Sequence, residues 1–147
     1  MLATALTTVA LLPGLLSPTV AEVKQQTPLP VLLPSTLTTS ETKTLYASAE
    51  GEARMYQVVV STEEDCGANA CSLAWFSGSK GGQPFGDRKV TLTSGRKGKY
   101  TPLSCGGSCS PPSITWKERG VVYEISTNAT RAQLVRMANS AIKQGPR

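Results

Sequence analysis

Four cysteines lie in two close pairs, Cys66 with Cys71 and Cys105 with Cys109. Six basic side chains, Lys80, Arg88, Lys89, Arg96, Lys97 and Lys99, fall between positions 80 and 99 against a single acid, Asp87. These residue types suggest two kinds of chemistry. Paired thiols form disulfides, hold zinc or exchange electrons, and a run of lysine and arginine attracts anions. The chain has no histidine, so the commonest general base and the commonest metal ligand are missing together.

The residues inside each cysteine pair are Gly67-Ala68-Asn69-Ala70 and Gly106-Gly107-Ser108. Such small, flexible residues let the chain fold back until the two Cβ atoms reach the ~3.8 Å a disulfide requires. Local pairing, Cys66 with Cys71 and Cys105 with Cys109, is therefore expected. Four cysteines allow three pairings, and a cross-link between the two loops stays open. The spacings also fit zinc loops, but an exported chain favours disulfides. Neither pair has the two-residue spacing of thioredoxin-like redox sites. A structural role is expected, with no metal and no cofactor.

Phe85 and Tyr100 accompany the basic residues. Cations beside exposed aromatics suit an acidic glycan or a lipid head group, and a solvated loop that keeps the domain soluble has the same composition. Charge is unevenly placed along the chain. Residues 22–78 carry three basic against seven acidic side chains, and residues 79–147 carry twelve against three. That polarity points to an anionic partner, and in an exported chain it argues against nucleic acid.

Catalytic signatures fail on inspection. Gly98-Lys99 is no phosphate loop, because Thr93 stands where a glycine is needed and Tyr100 where a hydroxyl residue is needed. Ser77 to Lys80 and Ser94 to Lys97 match Ser-x-x-Lys without the accompanying Lys-Thr-Gly. Glu63-Glu64-Asp65 reads as a solvent-facing loop. Glu118 falls in a turn and Glu124 on a polar strand face, with no evident cause for a raised pKa. Asn128-Ala129-Thr130 reads as the turn that starts a helix. No catalytic residue is expected.

The elements that must position these residues follow from periodicity. Met1 to Ala21 has no charged side chain, is interrupted by Pro13 and Gly14, and is too short for the ~20 apolar residues of a membrane span. It is expected to be a signal peptide cut after Ala21, giving a periplasmic or extracellular protein that does not span the membrane once processed, with a retained membrane anchor or a buried apolar segment as the alternative. Residues 22–40 contain Pro28, Pro30 and Pro34 among large aliphatics, so they should form an edge strand or an extended arm laid over the core. Residues 41–147 should form one domain. Strands are expected at Lys43 to Ala49, Arg54 to Ser61, Cys71 to Ser77 and Arg88 to Thr93, with a turn at Glu50-Gly51-Glu52 and a basic turn at Ser94 to Lys99.

The clearest hairpin runs from Ser113 to Ser126, where Ile114 and Trp116 face Val121, Tyr123 and Ile125. A capping box at Thr130 and Gln133 then starts an amphipathic helix ended by Gly145-Pro146. The fold class is α+β: an antiparallel sheet of about five to seven strands, wet on one face, with one C-terminal amphipathic helix packed on the other.

Several segments together carry a resemblance: Pro30 to Ser35, Asp65 to Cys71, Tyr100-Thr101-Pro102, Cys105-Gly106-Gly107-Ser108-Cys109-Ser110-Pro111-Pro112 and Met137 to Ile142. Over about Pro28 to Arg147 the chain resembles a group of uncharacterised exported proteins of cyanobacteria, most specifically in its Cys-Gly-x-Ser-Cys-Ser-Pro-Pro segment. The resemblance implies a bacterial envelope setting and the cysteine pairs as a unit, and it carries over no functional residue.

The expected function is a non-catalytic binding or sensing module of the envelope. Its partner would be an acidic glycan, a lipid head group or an envelope protein. Two other classes stay open. A hydrolase assembled only in the fold would show a cleft with a buried Glu or Asp beside a Ser, and a structural accessory subunit would show a large apolar patch.

Overall fold

The computed structural model describes residues 3–67 and 69–147, Asn69 for its backbone only. In chain order the elements are β1 (Thr7–Ala10), α1 (Ser17–Gln26), β2 (Thr36–Thr39), β3 (Tyr46–Glu52), β4 (Met55–Ser61), β5 (Ser72–Lys80), β6 (Arg88–Thr91), β7 (Lys97–Thr101), β8 (Ser104–Cys105), β9 (Cys109–Ser110), β10 (Ser113–Glu118), β11 (Val121–Thr127) and α2 (Arg131–Gln144). Seven strands form one antiparallel sheet in the order β3-β4-β5-β11-β10-β7-β6. Two small pairs, β1 with β2 and β8 with β9, stand apart from it. The architecture is the expected α+β sheet with a C-terminal helix.

Alternation decides which face is inside. Tyr56, Val58 and Val60 of β4, Phe76 of β5, Ile114 and Trp116 of β10, and Tyr123 and Ile125 of β11 are all buried on one face, as the two-residue period of a strand requires. Trp116 stacks on Tyr123 with ring centroids 5.6 Å apart. Helix α2 lies on this face through Leu134, Met137, Ala138 and Ala141. Its capping box is formed: the Gln133 N–H donates to Thr130 Oγ1 at 3.2 Å and the Thr130 N–H to Gln133 Oε1 at 2.8 Å.

One helix cannot close this face. Seven strands spaced ~4.8 Å apart make a layer about 29 Å wide, whereas a helix with its side chains is only ~10–12 Å across. The remainder is covered by α1 and the proline-rich segment. Leu29, Val31, Leu32 and Leu33 are buried beneath that segment's extended backbone. Because its prolines cannot donate to a ladder, side chains of the sheet hold it instead. The Tyr56 hydroxyl accepts from the Leu32 N–H at 3.1 Å and donates to the Leu32 carbonyl at 3.2 Å. The Tyr123 hydroxyl donates to the Pro30 carbonyl at 2.8 Å. Burial raises the pKa of both phenols, that of Tyr123 to about 12, so both stay protonated donors well into the alkaline range.

The N-terminal region has more structure than its composition suggests. Residues 22–40 are helical to Gln26, extended from 27 to 35, and a strand at Thr36–Thr39. Position 21 lies inside α1, whose Val23 is in the core together with Leu11 and Leu16. A cut after Ala21 would remove Leu11, Leu16 and half of α1, and would leave β2 without its partner strand.

Two expected turns fall elsewhere. Glu50-Gly51-Glu52 is the end of β3, and the chain reverses at Ala53-Arg54. Gly51 serves a close approach: a Cβ there would lie 2.8 Å from Gln26 Cβ of α1, whose Oε1 accepts the Gly51 N–H. The basic stretch Ser94 to Lys99 is a turn only to Gly95, and Lys97–Thr101 is a full strand of the sheet. Its inward positions are Gly98 and Tyr100, so it showed no run of apolar alternation.

Replacing Tyr56 with Phe leaves the buried N–H and C=O of Leu32 both unsatisfied, and should lower unfolding free energy by about 2–4 kcal/mol. Tyr123→Phe, which frees one carbonyl, should cost about 1 kcal/mol. Urea midpoints of the two variants test this ordering.

Candidate ligand-binding face

The face turned away from α2 is open, and pairing registers place its side chains in rows. One row crosses all seven strands: Glu50, Gln57, Ser77, Glu124, Thr115, Lys99 and Lys89 are successive cross-strand neighbours. It runs from an acidic edge to a basic edge. The next row places Ser48, Val59, Trp75, Ser126, Ser113 and Thr101 side by side.

The strand order divides this face. β5 is followed in sequence by β6, yet β11, β10 and β7 lie between them, so residues 81–87 pass over the open side as a strap. The Phe85 N–H donates to Thr115 Oγ1 at 3.0 Å, and that hydroxyl donates to the Phe85 carbonyl at 2.7 Å. Lys117 Nζ donates to the Gly82 carbonyl at 2.8 Å. Gly86, at φ 149°, passes so close to β7 that a Cβ would lie 2.9 Å from Lys99 Cβ. Thr115 is consequently fully covered although it belongs to the open face.

On the far side of the strap lie the basic residues. Lys89 is directly opposite Lys99, and Lys97 is two residues along on the same face of β7. These three come together. The other three do not join them. Arg88 pairs in register with Tyr100 and so points to the opposite face. Arg96 forms an ion pair with Glu118. Lys80 sits at the end of β5, in register with Val121. Of the two accompanying aromatics, Phe85 is exposed on the strap. Tyr100 is buried beneath Arg131 of α2, whose guanidinium lies 5.8 Å from the ring centre.

On the near side lies a trough of about 630 Å³. Its floor is Gln57, Trp75, Ser77, Glu124 and Ser126, and its wall is Leu103 with Ser108 to Pro111 of the small hairpin β8–β9. A second cavity of about 250 Å³ lies beside it, bordered by Ser48, Glu50, Cys66 and Gly67, and the two share Gln57, Ser72 and Trp75. Cys66 is bonded to Cys71 and Cys105 to Cys109, so the expected local pairing is present. Each bridge borders one cavity.

The sequence gives no signal that singles out Trp75, Gln57 and Ser126 as site residues, and it offers Ser77 only through a Ser-x-x-Lys match without its companions and Glu124 only as a polar-face carboxylate. They become a site only when the excursion 102–112 folds over the sheet. Burial desolvates Glu124 and raises its pKa above the ordinary 4.5, correcting the expectation that nothing would shift it. Among the described residues no group donates a hydrogen bond to its carboxylate, and no cluster of three or more Cys, Asp or Glu could hold a metal. No family model, curated protein or solved structure matches the chain.

A carboxyl group whose pKa is raised by folding contributes full stability below its unfolded pKa and loses it as pH rises through the folded value. Glu124 therefore weakens the fold at neutral pH. Glu124→Gln should be more stable than the parent at pH 7, and the difference should vanish at and below about pH 4, as read from denaturation midpoints at the two pH values.

Proposed function

We propose that this chain is an exported, non-catalytic binding module of the cell envelope, holding an anionic component, an acidic glycan or a lipid head group, against Lys89, Lys97 and Lys99. The observation that carries the reading is the direct cross-strand opposition of Lys89 and Lys99. Like charges facing each other across a ladder weaken a sheet. Among the described residues no carboxylate forms an ion pair with any of the three, the Arg96–Glu118 pair lying elsewhere. An arrangement that costs the fold is accounted for by an anion that neutralises it.

Export rests on the disulfides. Two bridged pairs suit an oxidising compartment, and no helix among the described residues is long and apolar enough to cross a membrane. The resemblance to exported cyanobacterial proteins supports the same setting.

The hydrolase alternative draws on Glu124 beside Ser77 and Ser126 in a cleft. Paired-carboxylate hydrolysis needs a second acid ~5–9.5 Å away. The next carboxylate in the row is Glu50, three strands over and so about 14 Å distant. A lone raised carboxyl group beside serines, with no histidine in the chain, supports binding better than turnover.

Lys89→Glu/Lys97→Glu/Lys99→Glu should abolish retention on an acidic polysaccharide column and on vesicles containing anionic lipid at low salt. A control of equal net charge, Lys80→Glu/Arg136→Glu/Lys143→Glu, should keep most of it. Equal losses in the two triple variants would reduce the interaction to net charge and overturn the assignment, and comparison of the two matrices separates glycan from lipid.

A further inference from the structure

We propose that the trough over Trp75 is a second binding site, separate from the lysine patch, and that it takes a neutral oligosaccharide. The inference does not rest on the anionic reading, because the strap 81–87 stands between the two surfaces.

The chemistry of the floor points to this ligand class. Trp75 is partly exposed on the open face, with Ser126 and Val59 as its direct cross-strand neighbours. Ser77 is two residues along the same strand, and Gln57 and Glu124 take the diagonal positions. Direct neighbours on a sheet lie about 5 Å apart and diagonal ones about 7–8 Å, so hydroxyl, amide and carboxylate groups flank the indole on one side, while Val59 and Leu73 extend its apolar surface on the other. A sugar ring has the complementary form: an apolar C–H face that stacks on an aromatic plate, and a rim of hydroxyls that donate and accept.

Charge selects among sugars. Among the described residues, Glu124 is the only ionisable side chain lining the larger cavity, and none donates a hydrogen bond to it. It calls for ligand hydroxyl donors and repels acidic ones, the opposite preference to that of Lys89, Lys97 and Lys99. Size is in keeping, since about 630 Å³ lies within the ~300–1,000 Å³ of small-ligand sites. The neighbouring cavity shares Trp75 and Gln57, which continues the surface past one ring and favours an oligomer.

The test is titration of the disulfide-intact protein with trisaccharides of β-linked N-acetylglucosamine, β-linked glucose, α-linked glucose and β-linked xylose, followed by tryptophan fluorescence and calorimetry. Trp116 is 1% exposed, so a ligand-induced change reports Trp75. At least one trisaccharide should bind saturably. Trp75→Ala should weaken it at least tenfold, and Trp75→Phe should recover part of the loss. Glu124→Gln should weaken it severalfold, and the triple lysine reversal should leave it unchanged. If Trp75→Ala does not fold, the phenylalanine and glutamine variants carry the test. The proposal is overturned if no trisaccharide binds at about 10 mM (about −2.7 kcal/mol), if the bound sugar ignores Trp75 and Glu124, or if choline occupies the trough where all four sugars fail.

Discussion

The hydroxyl of Tyr56 holds the Leu32 backbone by both its N–H and its C=O, and the closure of the core depends on this contact. A sheet of seven strands needs a lid wider than one helix. The chain supplies the missing part as an extended segment whose prolines bar it from joining any ladder. Hydrogen bonds from the sheet's own tyrosines solve both problems, since they rise through the apolar layer and meet backbone groups that no strand can satisfy. Arg147 adds a third tie from the far end of the chain, its N–H donating to the Val31 carbonyl at 3.0 Å. With α1, the proline segment and α2 all committed to one face, the other face carries the mixed row of Glu50, Gln57, Ser77, Glu124, Thr115, Lys99 and Lys89 beside Val59 and Trp75.

Topology then shapes that free face. Because β6 is added at the far edge and not beside β5, its connection must cross the open side, and Thr115 is the residue that anchors it. The strap separates a basic field from a trough with one carboxylate. Crossing over the strands keeps the lysines apart from Glu124 and leaves each region with its own electrostatic preference.

Much of the fold was legible in the chain, and for identifiable reasons. The hairpin 113–126 and the helix after Thr130 show clean periods and a complete cap, so local pattern and tertiary demand agree. The proline segment was readable because proline excludes pairing wherever it stands. Gly51 was misread as a turn residue, since a glycine required by the close approach of α1 looks the same in sequence as one required by a bend. The strand at Lys97–Thr101 was hidden because its inward side is Gly98 and Tyr100, and its outward side is lysine. The first 21 residues are ambiguous in kind: an uncharged apolar stretch has the composition of a leader and equally of a segment that buries Leu11 and Leu16. The trough was the least legible. Its floor residues belong to three strands, and its wall is an excursion that alternation cannot place.

The two disulfides belong to the open face more than to the core. Bridges closing loops of only four and five residues contribute about 2 kcal/mol each by loop entropy, a modest share for a domain with so large a buried cluster. Cys105 and Cys109 are exposed and close a hairpin of two-residue strands. A hairpin that short has little burial to hold it together and would fray readily in water. Cross-linked, it keeps Ser108 to Pro111 standing beside Trp75 and Glu124. The first bridge does the same on the other side of Trp75, where Cys66 and Gly67 border the smaller cavity. Walls held in place in advance lower the ordering cost of any association there, so the covalent links bear on the two cavities of the open face more than on the core.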